Sequence, residues 1–226
     1  MRLWITRTEP AARDTADRLA ARGHDPVIAP LLRVRALPLD APVPDHAALA
    51  FTSRNAVAVW SGLSADRGLP VFCVGDATAE AARAAGFLRV QSASGDAADL
   101  AALIRREASG RVLVPGPACP AADLAALVGP DVPIHLLPVY ETVETDVDAP
   151  DPVDGILFHS ARAARTFARH HAAAAPGRVA FALSDAVAEP LRVLGFAEVR
   201  IAARPDEDAL LDTLEPETLG KLPGPV

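Results

Sequence analysis

The stretch beginning at Val71, VFCVGDATAEAARAAGFLRVQSASGDAADLAALI, is echoed from Val179 as VAFALSDAVAEPLRVLGFAEVRIAARPDEDALLDTL. Asp76 matches Asp185, Glu80 matches Glu189, and Gly86-Phe87 matches Gly195-Phe196, all at a spacing of 109 residues. Each copy is preceded by a similar switch, FTSRNAV at 51–57 and FHSARAA at 158–164. In both switches an apolar run ends in Phe, one residue and Ser before an Ala-rich amphipathic stretch. A strand that turns into a helix has this form, because hydrophobic spacing changes there from short-period to helical. Three consecutive β-α units agreeing in order and spacing mark a duplication. The chain must therefore build the same kind of layered α/β unit twice.

The leftover pieces fix how the copies are joined. Residues 111–143 form a strand-helix-strand that follows the first copy, and their counterpart is residues 2–34 at the other end of the chain. Both end in an apolar strand that holds a proline, Pro138 and Pro30. One domain is then assembled from residues 1–34 plus 147–226, with the other, 40–136, inserted within it. Residues 35–39 and 137–146 run side by side as a two-stranded β linker and hinge. Alternating β and α elements imply parallel sheets with helices on their faces and right-handed crossovers. Ten β-like runs are too many for one sheet in 226 residues, so two five-stranded domains are expected.

Composition removes several classes. A net charge of −7 with no basic stripe excludes a nucleic-acid binder of the usual kind. No apolar run approaches the roughly 20 residues that span a bilayer. The start, MRLWITRTEP, has no apolar core followed by a small-residue cleavage site, so a cytoplasmic protein is expected. The only lysine is Lys221, in the Pro/Gly-rich tail, which argues against Schiff-base chemistry and a P-loop. Cys73, inside LPVFCVG, reads as a buried thiol. Cys119, in GPACPAADL, reads as more exposed but has no neighbouring His to activate it. No metal or cofactor motif is present, and the six histidines form no ligand set.

In open α/β sheets ligands bind where strands give way to helices. Those ends here are rich in Ser, Thr, Asp and Gly. Asp76, Asp96 and Asp185 read first as helix N-caps. His159 reads as a polar strand-end residue. Helix N-termini also attract anions through unpaired N–H groups and the helix dipole. Two domains would present two sets of such termini across one cleft. With no nucleophile, metal or cofactor signature, catalysis would rest on holding a reactive substrate in one geometry.

The ordered set ITRTEPAARDTADRLAARGHDPVIAPLLRV, FTSRNAV, VGDATAEAARAAGF, PVYETV and SDAVAEPLRVLGF resembles the uroporphyrinogen-III synthase family, to about residue 214. The resemblance implies two doubly wound, flavodoxin-like parallel-sheet domains. It also implies a lyase of tetrapyrrole synthesis that closes linear hydroxymethylbilane, with loss of water and inversion of ring D, through a spiro-pyrrolenine intermediate. No cofactor or metal is implied. The substrate's eight carboxylates would be gripped largely by main-chain N–H groups and scattered arginines.

Carried over by motif, Tyr140 in PVYETV matches the family's linker tyrosine, a candidate proton donor to the departing hydroxyl. A tyrosine phenol keeps its proton at neutral pH and can act as an acid when placed at the leaving group. Its other reading is a hinge residue that packs on one face. The resemblance marks Thr6 and Arg7 on the first strand, Thr52 and Ser53, Gly75 and Thr78, then Ser160 and Ser184, as substrate-binding positions. Two departures stand out: ALSDAVA replaces the family's Gly-Pro-Thr-Thr pattern, and VPGPACP carries no arginine. Two non-synthase readings therefore remain open, a non-catalytic clamp for an anionic small molecule and a degenerate regulatory domain. A monomer is expected, with transient contact to the preceding enzyme.

Overall fold

The computed structural model describes residues 1–39 and 41–215; Lys221 and the rest of the tail lie outside the described residues. In chain order the elements begin with β1 (Arg2–Ile5), α1 (Ala11–Ala21), β2 (Asp25–Ile28) and β3 (Leu32–Ala36). There follow β4 (Ala48–Phe51), α2 (Arg54–Leu63), β5 (Pro70–Cys73), α3 (Asp76–Ala84), β6 (Arg89–Ser92) and α4 (Ala97–Glu107). Next come β7 (Val112–Pro117), α5 (Leu124–Val128), β8 (Ile134–Glu144), β9 (Gly155–Phe158) and α6 (Ala161–His170). The series ends with β10 (Val179–Ala182), α7 (Asp185–Ala188), β11 (Glu198–Ile201) and α8 (Glu207–Asp212).

The chain divides into two compact units, one made of Met1–Arg33 with Val143–Val226 and the other of Val34–Thr142. We call them the split unit and the continuous unit. The split unit carries a five-stranded sheet of order β2-β1-β9-β10-β11, every pairing parallel. In order of appearance this is 2-1-3-4-5, the doubly wound arrangement of flavodoxin-like folds. The continuous unit carries the order β8-β7-β4-β5-β6, again parallel, with β3 added outside β8. Matching β1 to β7, β2 to β8 and β9 to β4 gives the same spatial order from a permuted chain. The duplication is thus expressed in topology as well as in sequence.

The strand count corrects the expectation of two five-stranded sheets. PVIAPLL is not one strand: it breaks at Pro30 into β2 and β3, which belong to different sheets. Proline has no N–H to give a ladder. Its counterpart Pro138 sits inside β8 without breaking it, next to a register shift at Gly116/Pro117. An irregularity of that kind is where a sheet tolerates proline. Within the continuous unit β3 runs antiparallel to β8: Leu37 N–H donates to Val139 O at 2.8 Å, and the Arg35 guanidinium pairs with Glu141.

Both sheets are apolar on both faces. In β1, Leu3 and Ile5 pack with Leu157, Phe181 and Leu210, while Trp4 between them packs with Phe158, Phe167 and Leu191. In β4, Leu49 and Phe51 face Trp60 and Phe87, while Ala48 and Ala50 face Leu100, Ile104 and Val112. Successive strand residues point to opposite faces, so near-continuous apolar runs are what a sheet covered on both sides requires. The matched glycines of the repeat have one physical cause: Gly86 and Gly195 adopt φ of 92° and 77°, left-handed backbone that disfavours a side chain. Gly155 is required by space, since a Cβ there would stand 2.6 Å from the Phe181 ring.

Candidate functional site

In a sheet of order 2-1-3-4-5, consecutive connections leave in opposite directions on either side of one strand pair, and a crevice opens at the carboxyl ends of that pair. In the continuous unit this pair is β4 and β7. A cavity of about 510 Å³ lies there, lined by Thr52 and Ser53 after β4, by Gly116 and Pro117 at the end of β7 and Ala118 to Ala122 after it, and by Leu136, Tyr140 and Thr142 of β8. The lining is mainly apolar, and none of its described residues is charged.

Tyr140 is held from both ends. Its ring is buried within the core cluster of Leu49, Phe51, Val57 and Val139, and its carbonyl accepts from Ala118 N–H at 2.8 Å. Its hydroxyl lies 3.0 Å from Ser53 Oγ. Ser53 is the N-cap of α2, with extended φ and ψ of −160° and 155°. Its Oγ accepts the Ala56 N–H at 3.1 Å. Two residues 87 positions apart thus meet because one closes a helix start and the other lies on a neighbouring part of the same sheet edge.

The remaining candidates fall elsewhere. Gly75 is the N-cap of α3, and Thr78 is buried with its amide donating to Gly75 O; neither is among the residues that line the cavity. Ser160 caps α6 as Ser53 caps α2, accepting Ala163 N–H at 3.1 Å. Ser184 occupies the N-cap position of α7 but makes no side-chain cap bond. Two cap readings are corrected by one residue. Gly75 and Ser184, not Asp76 and Asp185, hold the N-cap conformation; Asp76 accepts from Ser94 Oγ and Asp185 pairs with Arg192. Asp96 does cap α4, in a reciprocal box with Asp99.

In the split unit the equivalent strand pair is β1 and β9, and the space beyond it is filled. The Thr6 hydroxyl is fully buried and donates to Leu157 O at 2.7 Å, so it closes the sheet edge. Arg7 pairs with Glu207 at 2.7 Å, and Thr15 Oγ1 donates to the other carboxylate oxygen at 2.7 Å. His159 Nε2 comes within 3.1 Å of Glu207 Oε2. Burial holds the His159 imidazole below its ordinary value against the opposing pull of Glu207. Burial pushes the Glu207 carboxyl up, but His159, Thr15 and Arg7 outweigh it and hold it well below the usual carboxylate range.

Thr15, His159 and Glu207 are the polar residues that sequence reasoning did not assemble. The only local signal was RPDED, which reads as a helix start. Cys119 is exposed on the cavity wall, whereas burial pushes the Cys73 thiol up to about 12. Among the described residues no three His, Cys, Asp or Glu side chains converge as a metal site, and no helix is long and apolar enough to cross a membrane.

Comparison with known proteins bears on this geometry. The family described as uroporphyrinogen-III synthase HemD matches residues 13–212. The chain belongs to the uroporphyrinogen-III synthase family. No curated protein matches the sequence. Among solved structures, uroporphyrinogen-III synthetase from Helicobacter pylori 26695 is similar at 18% identity, with 95% of this chain and 98% of that one covered and a TM-score of 0.65. A mutant uroporphyrinogen III synthase from the extremely thermophilic bacterium Thermus thermophilus aligns at 17% identity over 95% of this chain and 97% of that one, with a TM-score of 0.47. The first likeness carries the two-unit α/β fold. Uroporphyrinogen-III synthases are lyases of tetrapyrrole biosynthesis, and their substrate is hydroxymethylbilane.

Proposed function

We propose that the protein closes hydroxymethylbilane to uroporphyrinogen III with Tyr140 as the acid that releases water. Family membership supports the reaction. The single observation that supports the acid is the Tyr140 hydroxyl, fixed by Ser53 at the wall of the 510 Å³ cavity. In the step proposed, the phenol proton passes to the hydroxymethyl oxygen and the C–O bond breaks with its electron pair going to oxygen. Water departs, and the lone pair of the adjoining pyrrole nitrogen supports the carbon left behind. The proton released from carbon after ring closure returns to the phenolate, so the residue is regenerated.

The cavity's apolar wall suits pyrrole rings. Carboxylates would be held from outside it, by backbone N–H groups at helix starts of the same unit such as that of α3 at Gly75. Because both sheets are covered on both faces by their own apolar clusters, the protein works as a monomer. It acts in the cytoplasm and meets the preceding enzyme of the pathway only transiently, to receive the bilane.

The deciding experiment supplies freshly made hydroxymethylbilane, oxidises the products and separates isomers I and III by chromatography. Uncatalysed closure gives isomer I. The proposal expects isomer III to dominate with the protein present, and a persistent excess of isomer I overturns it.

A further inference from the structure

We infer that Ser53 is a positioning residue for the reaction: it donates its hydroxyl proton to the Tyr140 oxygen as that oxygen gives up its own. The inference rests on the reading of Tyr140 as the acid and extends it to a second residue. A serine hydroxyl has one proton and two lone pairs. One lone pair of Ser53 is engaged by the Ala56 N–H at 3.1 Å, which ties the oxygen to the first turn of α2. The other close polar atom is the Tyr140 hydroxyl at 3.0 Å. Either oxygen can donate while both protons are in place.

Proton transfer removes that freedom. Once the phenol proton moves toward the leaving oxygen, the Tyr140 oxygen carries negative charge and can only accept. Ser53 is then the donor, and its own oxygen is polarised in the right sense by the N–H it accepts. The arrangement also sets direction. With Ser53 donating, the phenol proton turns away from Ser53 and into the cavity that Tyr140 lines. A donor fixed before the reaction stabilises developing charge without having to reorganise. The cap of α2 therefore does two things with one hydroxyl: it holds the helix start and it aims the acid.

Ser160 shows what the same cap is like without this second contact. It binds Ala163 N–H with the same 3.1 Å geometry, but the repeat provides no tyrosine for it. Aligning the two strands on their prolines sets Leu32 opposite Tyr140.

The test is steady-state kinetics with hydroxymethylbilane on wild type, Ser53→Gly, Ser53→Ala, Ser53→Thr, Tyr140→Phe and Ser53→Gly/Tyr140→Phe, with thermal unfolding of each. Glycine is tolerated at N-caps far better than alanine, so Ser53→Gly removes the hydroxyl and spares the fold if Ser53→Ala does not. We expect kcat to fall roughly tenfold in Ser53→Gly, the loss of about one hydrogen bond, with KM within about twofold. Ser53→Thr should recover most of the rate. The double variant should be no slower than Tyr140→Phe alone, because the serine acts through the tyrosine. Wild-type kcat in Ser53→Gly, or losses that multiply in the double variant, overturns the inference while leaving Tyr140 as the acid. A wild-type rate in Tyr140→Phe overturns both. Isomer I from the wild-type protein overturns the whole functional reading.

Discussion

The two strand pairs at which the sheets reverse their winding, β4/β7 in the continuous unit and β1/β9 in the split unit, are equivalent in topology and opposite in content. The first opens into a cavity with one phenol and one serine at its wall. The second is closed by a carboxylate, a guanidinium, an imidazole and a threonine hydroxyl. Duplication delivered the same crevice twice, and side chains decided which stayed open. An ion pair partly removed from water pays for desolvation and is worth keeping only if its members remain satisfied. The filled crevice therefore reads as a clasp between α8 and the sheet, and the open one as the place for chemistry.

The largest effect that could break this contrast is at the open crevice. Tyr140→Phe should lower kcat by about 100-fold, the lower range for a general acid, and leave the melting temperature close to wild type. A loss of stability with little loss of rate would instead make it a packing residue. At the filled crevice the opposite signature is expected. Glu207→Ala leaves Arg7 and His159 half-satisfied and should cost about 2 kcal/mol of stability, less than for a fully buried pair because the carboxylate is partly exposed.

The same carboxylate predicts a pH dependence. Its folded-state value is depressed, so its contribution is complete above the unfolded value of about 4.3 and fades as pH falls below it. Denaturation of wild type and Glu207→Gln at pH 7 and at pH 3.5 should show the stability gap narrowing in acid. A constant gap would mean that the charge is not what holds the clasp.

Alkylation sharpens the contrast further. Cys119 is exposed on the cavity wall and Cys73 is buried, so a maleimide should modify one thiol quickly and slow turnover several-fold. Cys119→Ser should be resistant. The smallest effect concerns the shared scaffold: Gly86→Ala and Gly195→Ala each force a side chain into left-handed backbone and should each cost about 1 kcal/mol. Equal losses would mark the repeat as energetically symmetric outside its crevices.

Much of this architecture was legible because its signals are local. A strand turning into a helix at Ser53 or Ser160 declares itself within seven residues, and so does a glycine ending a helix. Tyr140 and Ser53 could each be singled out by motif, but their contact could not, since it depends on which strands lie side by side. Glu207 was invisible for the same reason: its partner Arg7 is 200 residues away. The off-by-one placement of Asp76 and Asp185 has another cause. Glycine and serine before an aspartate can each cap a helix, and only backbone angles choose between them. Pro30 and Pro138 look alike in sequence and differ because only one lies beside a register shift.

The order of synthesis adds a last consequence. Leu3 of β1 pairs with Gly155 of β9, so the N-terminal strand waits for its central neighbour while the whole continuous unit emerges. At a synthesis rate of roughly 5–20 residues per second that interval is on the order of ten seconds, and isolated domains close in far less. The continuous unit can reach its native core on the ribosome while β1, α1 and β2 remain an unfinished half-sheet. A truncated chain ending at Thr142 and released from the ribosome should then already protect Trp60, and leave Trp4 open to solvent.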